Sequence, residues 1–322
     1  EITCRDWSSD VCSSDLNLAQ RKKDYVKRNL VWYLFLAPTL IYFVLFHYAP
    51  IYGLIIAFKN YSPFIGVIDS PWADNYGFEH FIKFFQSIYF NRLMTNTFLI
   101  SFYSLIFGFP VPIILALAFN EFKNVKVRNM YQSFSYIPHF LSIVVVCGFI
   151  VMFTTTDTGL FNKILMALGL PQQQFLSDPA WFRTVYVSSG VWQGAGWSSI
   201  IYFSSLSAIS YNLYEAADID GANRYQKIRY ISLPGMAPTI ITIMLLNMGN
   251  LFAVGFEKVF LLYSPITYVT SDVLSTYVYR SGFMNQEYSF VSSVGFFNSI
   301  IRLVLLVLFN YLARKIVHES LW

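Results

Sequence analysis

Long apolar runs separated by short polar stretches set the pattern of this chain. Runs long enough to cross a bilayer, about 20 residues each, fall near 30–58, 95–119, 133–153, 184–208, 236–256 and 290–312. Barrel strands would show alternating segments of about ten residues instead. The pattern therefore predicts an all-α membrane protein with six transmembrane helices. A polar insert separates the fourth run from the fifth. Asn212 followed by Glu215 reads there as a capping box, which predicts a short helix that carries Ala216 and Ala217 and stops at Gly221. A second short helix over 223–231 should lead to Pro234, which is expected to end it and open the fifth span. Both are shorter than the roughly 12–15 residues an isolated helix needs in water. They must pack on something, either their own chain or a partner that closes over the small residues.

Composition supports a membrane solvent. Charged residues make up 12% and apolar residues 56% of the chain, and the mean hydropathy is +0.49, against about 25% charged residues in soluble domains. The basic residues are unevenly placed. Arg21, Lys22, Lys23, Lys27 and Arg28 precede the first run, and Lys123, Lys126 and Arg128 follow the second. Arg224, Lys227 and Arg229 lie in the polar insert, and Arg314 and Lys315 follow the sixth run. The longer opposite loops hold only Lys59, Lys83, Arg92, Lys163, Arg183, Lys258 and Arg280. The positive-inside rule then puts both termini and the insert in the cytoplasm. The net charge of +4 reflects this topology rather than an affinity for nucleic acid.

Residues 1–16 do not share the pattern. The stretch Asp6 to Leu16 has no apolar core and fails as a signal peptide; it resembles a translated sequencing-adapter read and is set aside, with a short cytoplasmic tail as the plainer alternative. That removes Cys4 and Cys12 as a pair and leaves Cys147, inside a span, as a packing residue. The expected organisation is a leader at 1–16, a basic cytoplasmic segment at 17–29, a transmembrane domain at 30–312 that includes the loop 210–235, and a cytoplasmic tail at 313–322. The chain has no G-x-x-x-x-G-K-[ST] phosphate loop, no H-E-x-x-H and no G-x-S-x-G. His47, His80, His139 and His318 are too scattered to suggest a metal site. No catalytic residue and no cofactor is assigned to the chain.

Polar side chains inside the runs are candidates for a transport path, because they are costly in a bilayer unless they face the bundle or a wet cavity. Asn247, Asn250 and Glu257 recur at i, i+3 and i+10, and Gln193 and Trp197 lie four apart in the fourth run. The alternative for the asparagines is helix-to-helix hydrogen bonding, and for the tryptophan an interfacial anchor. Arg302, in the middle of the sixth run, is expected to pair with a charge such as Glu257, to snorkel toward the cytoplasmic end about ten residues away, or to serve an interface between subunits. The external loops near 59–94, 154–183 and 257–289 exceed the usual loop length and suggest a docking rim, with plain connections as the alternative and Phe81 to Phe85 as an interfacial helix.

The insert carries a resemblance. Glu215, Ala216, Ala217, Gly221, Ile231, Leu233 and Pro234 stand in the arrangement E-A-A, three residues, G, nine residues, I, one residue, L-P. This resembles the signature loop of permease subunits of binding-protein-dependent ATP-binding-cassette importers. Asp220-Gly221-Ala222, with the stretches 45–58, 108–120 and 135–140 and the closing Glu319-Ser320-Leu321-Trp322, is further similar to the carbohydrate-uptake branch, LplB-like permeases associated with oligosaccharides. The resemblance implies a type I permease fold in the bacterial plasma membrane and a loop, including Asp220 and Ala222, that couples to a cytoplasmic ATPase dimer using ATP and magnesium. It also implies a second homologous permease subunit, an extracellular solute-binding protein and a sugar as cargo. Other cargo, such as a peptide, remains an alternative. An ion-coupled secondary transporter would need inverted repeats, and a membrane-embedded enzyme a cluster of acids or histidines at one face.

Overall fold

The computed structural model describes residues 29–316, and among them there are helices and turns but no strand, only an isolated bridge between Lys59 and Trp72. The expected leader, the basic residues up to Arg28, the pair Cys4 and Cys12, His318 and the closing Glu319 to Trp322 lie outside the described residues. The described chain divides into two units, 29–56 with 62–70, and 57–61 with 71–316.

The first unit holds most of helix α1, Leu30–Phe58. It begins as an α-helix, widens into a π turn over Val44–Tyr48 and tightens into a 3-10 helix over Ala49–Phe58. The widened turn lies immediately ahead of Pro50, whose missing N–H would break a regular ladder. Trp32, Leu34 and Phe35 are exposed, as side chains facing lipid are.

The second unit contains α2 (Glu79–Gln86), α3 (Phe90–Asn120), α4 (Val125–Phe140), α5 (Ile143–Thr154), α6 (Leu160–Ala167), α7 (Pro179–Ser207), α8 (Tyr211–Ile219), α9 (Arg224–Gly249), α10 (Phe256–Leu262), α11 (Tyr268–Ser271), α12 (Leu274–Tyr279) and α13 (Tyr288–Ile316). Four helices are long and apolar enough to cross a membrane, α1, α3, α9 and α13; a fifth crossing arises if α4 and α5, bent by 98° at Leu141–Ser142, are one broken span. The run at 184–208 falls within α7, which has 29 residues, roughly 43 Å at 1.5 Å per residue. Ser188, Ser189, Gly190, Gln193, Gly194, Gly196, Ser198 and Ser199 make it too polar to meet the same standard.

The small residues of α7 have a physical role, because membrane helices gain little from apolar attraction in lipid and associate through close backbone approach. α7 packs along α3 and also meets α4 and α9. At Gly196 the approach is closest: a Cβ there would lie 1.9 Å from the Ser135 carbonyl oxygen of α4. Tyr202 and Leu206 of α7 form one core with Ala116 and Met236. A second core gathers Ile100, Val146, Cys147, Ile150, Phe182, Val259, Leu262 and Val273, so Cys147 is a buried free thiol in apolar packing.

α2 forms where the interfacial helix was expected, but its apolar face turns onto its own chain. Phe81 and Phe84 are buried, in ring contact with Phe296 and Phe297 of α13. The long loops near 154–183 and 257–289 are ordered by buried polar groups. Asn162 donates to the Gln173 carbonyl at 3.0 Å and accepts from the Gln173 N–H at 2.8 Å. Asp272, fully buried between α11 and α12, receives Arg92 of α3 at 3.0 Å and Arg280 at 2.8 Å.

Candidate functional site

The loop between α7 and α9 is a folded unit. α8 starts at Tyr211 after Ser210, which makes no side-chain capping bond, so the expected Asn212–Glu215 capping box is absent; both residues lie inside the helix. The capping box occurs one element later, where Asn223 and Gln226 satisfy each other's backbone N–H groups at the start of α9. The stop at Gly221 is as expected. Gly221 adopts φ +72°, its N–H donates to the Asp218 carbonyl at 3.1 Å, and the Ala222 N–H reaches back to the Ala217 carbonyl at 2.8 Å. This is a Schellman closure, which needs a residue in the left-handed region at that position.

Pro234 does not end the second helix. α9 runs from Arg224 to Gly249 without interruption, because a π turn over Ile228–Ser232 lets Leu233 donate to the Ile228 carbonyl just before the proline. The helix that leaves the loop is thus continuous with the span. Three ties hold the loop: Tyr214 to Ser232 between hydroxyls at 2.9 Å, Lys227 to Asp218, and Arg224 to Glu121 at the end of α3, at 2.7 Å. Tyr211, Leu213, Ile219 and Tyr225 remain exposed, as do Glu215, Ala216 and Asp220.

A cavity of about 500 Å³ lies between α3, α7, the C-terminal end of α9 and α10. Its wall carries Ser101, Ser104, Tyr186, Gln193, Ser198, Asn247, Asn250 and Lys258. Three of the five sequence candidates for the path, Asn247, Asn250 and Gln193, therefore share one cavity. Asn250 also closes the helix end, donating to the Leu246 carbonyl at 3.1 Å. Gln193 donates to the Leu141 carbonyl at 3.2 Å, in the break between α4 and α5.

The other two candidates lie elsewhere. Glu257 is exposed and does not line the cavity. The helical spacing that linked it to Asn247 does not apply, since α9 ends at Gly249 and Glu257 sits in α10. Trp197 stacks face to face on His139, with ring centroids 4.8 Å apart and planes at 2°, and meets Phe140 edge-on. Arg302 does not pair with Glu257. Its Nη2 donates to the Phe252 carbonyl at 2.8 Å, holding a turn in which Phe252 takes φ +73°, costly for a bulky residue.

Lys258 was missed as a candidate, counted among the external-loop charges. It is buried, its Nζ donates to the Tyr186 carbonyl at 2.8 Å and sits 4.6 Å from the Tyr186 ring centroid. α10 lies beyond the end of span α9, and burial pushes the Lys258 ammonium down to about 8, so that it stays mostly charged at neutral pH. The sequence signal was faint: a lysine a short turn past an apolar run.

Several apolar spans, a braced polar loop between two of them and a polar cavity in the bundle define a membrane permease. Residues 108–318 match the family of binding-protein-dependent transport system inner membrane components, and the chain belongs to that family. It is 39% identical to Protein LplB of Bacillus subtilis (strain 168) over 297 residues, 92% of each chain. It is 37% identical to the polygalacturonan/rhamnogalacturonan transport system permease protein YteP of the same organism over 308 residues, 94% of this chain and 95% of the relative. A chain in the crystal structure of a bacterial ABC transporter involved in the import of the acidic polysaccharide alginate matches with a TM-score of 0.84 at 42% identity, over 92% of this chain and 99% of that one. A chain of the bacterial alginate ABC transporter in complex with alginate pentasaccharide-bound periplasmic protein matches with a TM-score of 0.84 at 41% identity, over the same shares.

Proposed function

We propose that this chain is one of two permease subunits of an ATP-binding-cassette importer that carries an oligosaccharide across the bacterial plasma membrane. Six spans serve the role: α1, α3, the bent pair α4–α5 taken as one, α7, α9 and α13. Both termini and the loop 210–235 face the cytoplasm, as the distribution of lysine and arginine supports. A cytoplasmic ATPase dimer supplies the energy by hydrolysing ATP with magnesium, and an extracellular binding protein delivers the sugar. The cargo is read from the relatives, whose names concern polysaccharide or oligosaccharide transport.

The observation that carries the reading is the loop around Glu215 to Pro234. Its small residues and exposed Tyr211, Leu213, Ile219 and Tyr225 offer a surface for a groove in a partner, while its tie to the end of α3 and its unbroken passage into α9 let a push on it move the spans. Asn247, Asn250 and Gln193 then supply hydrogen bonds to sugar hydroxyls along the path. Glu257 and Trp197, outside the cavity, have weaker support as path residues.

Affinity purification of tagged residues 17–322 in mild detergent, from cells expressing the native neighbours, tests the proposal. Recovery of a second multi-span permease and an ATPase with a Walker motif is expected. Recovery of this chain alone, still moving solute, would overturn it and favour a secondary transporter.

A further inference from the structure

Of the side chains that line the cavity, among the described residues, Lys258 alone carries a formal charge. It is 7% exposed. An ammonium withdrawn from water is costly unless an anion meets it, yet among the described residues Lys258 forms no ion pair. Asp272, a fully buried acid of the same region, is taken by Arg92 and Arg280, and Glu257, its sequence neighbour, is exposed and off the cavity wall. What Lys258 has is a carbonyl and the face of a tyrosine ring, both from Tyr186. These steady a cation without neutralising it. With three N–H donors and one engaged, the ammonium has two left for the cavity.

The surrounding wall suits a sugar more than a simple anion. Ser101, Ser104, Ser198, Gln193, Asn247 and Asn250 offer neutral hydroxyl and amide groups, and a volume of about 500 Å³ is within the range of about 300–1,000 Å³ of small-molecule sites. A single lysine balances one negative charge. A carboxylate matches that number, whereas a phosphate ester near its dianionic form would leave charge uncompensated in a buried place.

We propose that Lys258 reads the charge of the cargo: a carboxylate on one sugar unit, as in a uronic acid, docks on its Nζ while the hydroxyls of that unit bind the neutral wall. The importer is therefore selective for acidic over neutral oligosaccharides. This rests on the saccharide-importer reading and adds the substrate class.

The test uses the full complex, with partner permease, ATPase and binding protein, in proteoliposomes. The probes are trisaccharides of galacturonate, glucuronate and mannuronate, each beside its carboxyl-reduced neutral counterpart, and a sulfated neutral trisaccharide. Expected is uptake of at least one uronide at least tenfold above its reduced form, reduced about tenfold or more in Lys258→Gln and retained in Lys258→Arg. Equilibrium binding of the same pairs to the wild-type complex, purified without the binding protein, supplies the charge preference even if Lys258→Gln fails to assemble. Equal transport of uronide and reduced sugar, a preference for the sulfate, or a preference unchanged by Lys258→Gln would overturn the assignment to Lys258 and leave the importer standing. ATP-driven uptake of a peptide, with no saccharide moved, would overturn the saccharide reading itself and the assignment with it.

Discussion

Asp272 carries more structural responsibility than any other single acid in the described chain. Fully buried, it meets two guanidinium groups, and Asn96 beside it donates to the carbonyls of Val269 and Asp272, both at 3.0 Å, while accepting from Arg183 at 2.7 Å. Removing its charge strands Arg92 and Arg280, and breaking a buried pair from one side costs about 3–5 kcal/mol. Asp272→Asn is therefore expected to lower the thermal unfolding temperature of the detergent-solubilised protein by several degrees. An unchanged melting curve would mean the cluster adds nothing. His80, outside the spans, gives a pH signature. Burial, against an opposing hydrogen bond from its ring to the Lys59 carbonyl, pushes its pKa below the ordinary 6.5. The folded state resists protonation more than the unfolded one, so this contribution is complete above pH 6.5 and declines as the pH falls through the depressed value. A loss of stability on acidification from pH 7 to 5 is expected, and His80→Gln should flatten that slope in melting curves taken over the same range.

Elements show what the sequence could and could not reveal. Four spans were plain in the sequence because lipid demands long apolar runs, and the Gly221 stop was plain because few residues but glycine accept a left-handed turn. The run at 184–208 folds as α7 but falls short of a span by hydropathy, since a helix packed on its neighbours and lining a cavity exchanges apolar bulk for serine and glycine. The break after α9 was not legible. Apolar residues continue through Leu251 and Phe252, and the turn there depends on Arg302, 50 residues further on. Likewise Pro234 reads locally as a helix stop, whereas a π turn absorbs it. Among the path candidates, periodicity placed Asn247 and Asn250 together on the cavity wall but carried on to Glu257 past the real end of the helix. At Gly196 the contact is with backbone, 1.9 Å from a would-be Cβ to the Ser135 oxygen, and backbone cannot swing aside as a side chain can. Gly196→Ala must part α4 from α7. Its expected cost, beyond the usual overpacking range of about 1–3 kcal/mol, should appear as loss of folded protein in detergent size-exclusion profiles; a normal profile and melting point would show that the two helices separate freely.

At the scale of the whole molecule, the coupling reading makes the loop 210–235 a lever whose shape matters more than its stability. Gly221 offers a way to separate the two. A Cβ placed there meets nothing within 4 Å, so Gly221→Ala suffers only the backbone cost of φ +72°, about 1–2 kcal/mol, in an exposed turn. Proline cannot adopt that φ, and it deletes the N–H that reaches Asp218. The Schellman closure would then be lost, and the exit from α8 would no longer be set against α9. Nothing in the spans themselves depends on that turn, and Asn223 still caps α9. Gly221→Pro is thus expected to insert into the membrane at the wild-type level but to abolish uptake, with ATP hydrolysis by the assembled complex no longer stimulated by loaded binding protein, while Gly221→Ala keeps much of both. Wild-type uptake by Gly221→Pro would show that the spans receive their motion elsewhere. Loss of the inserted protein itself would instead make this turn part of how the bundle folds.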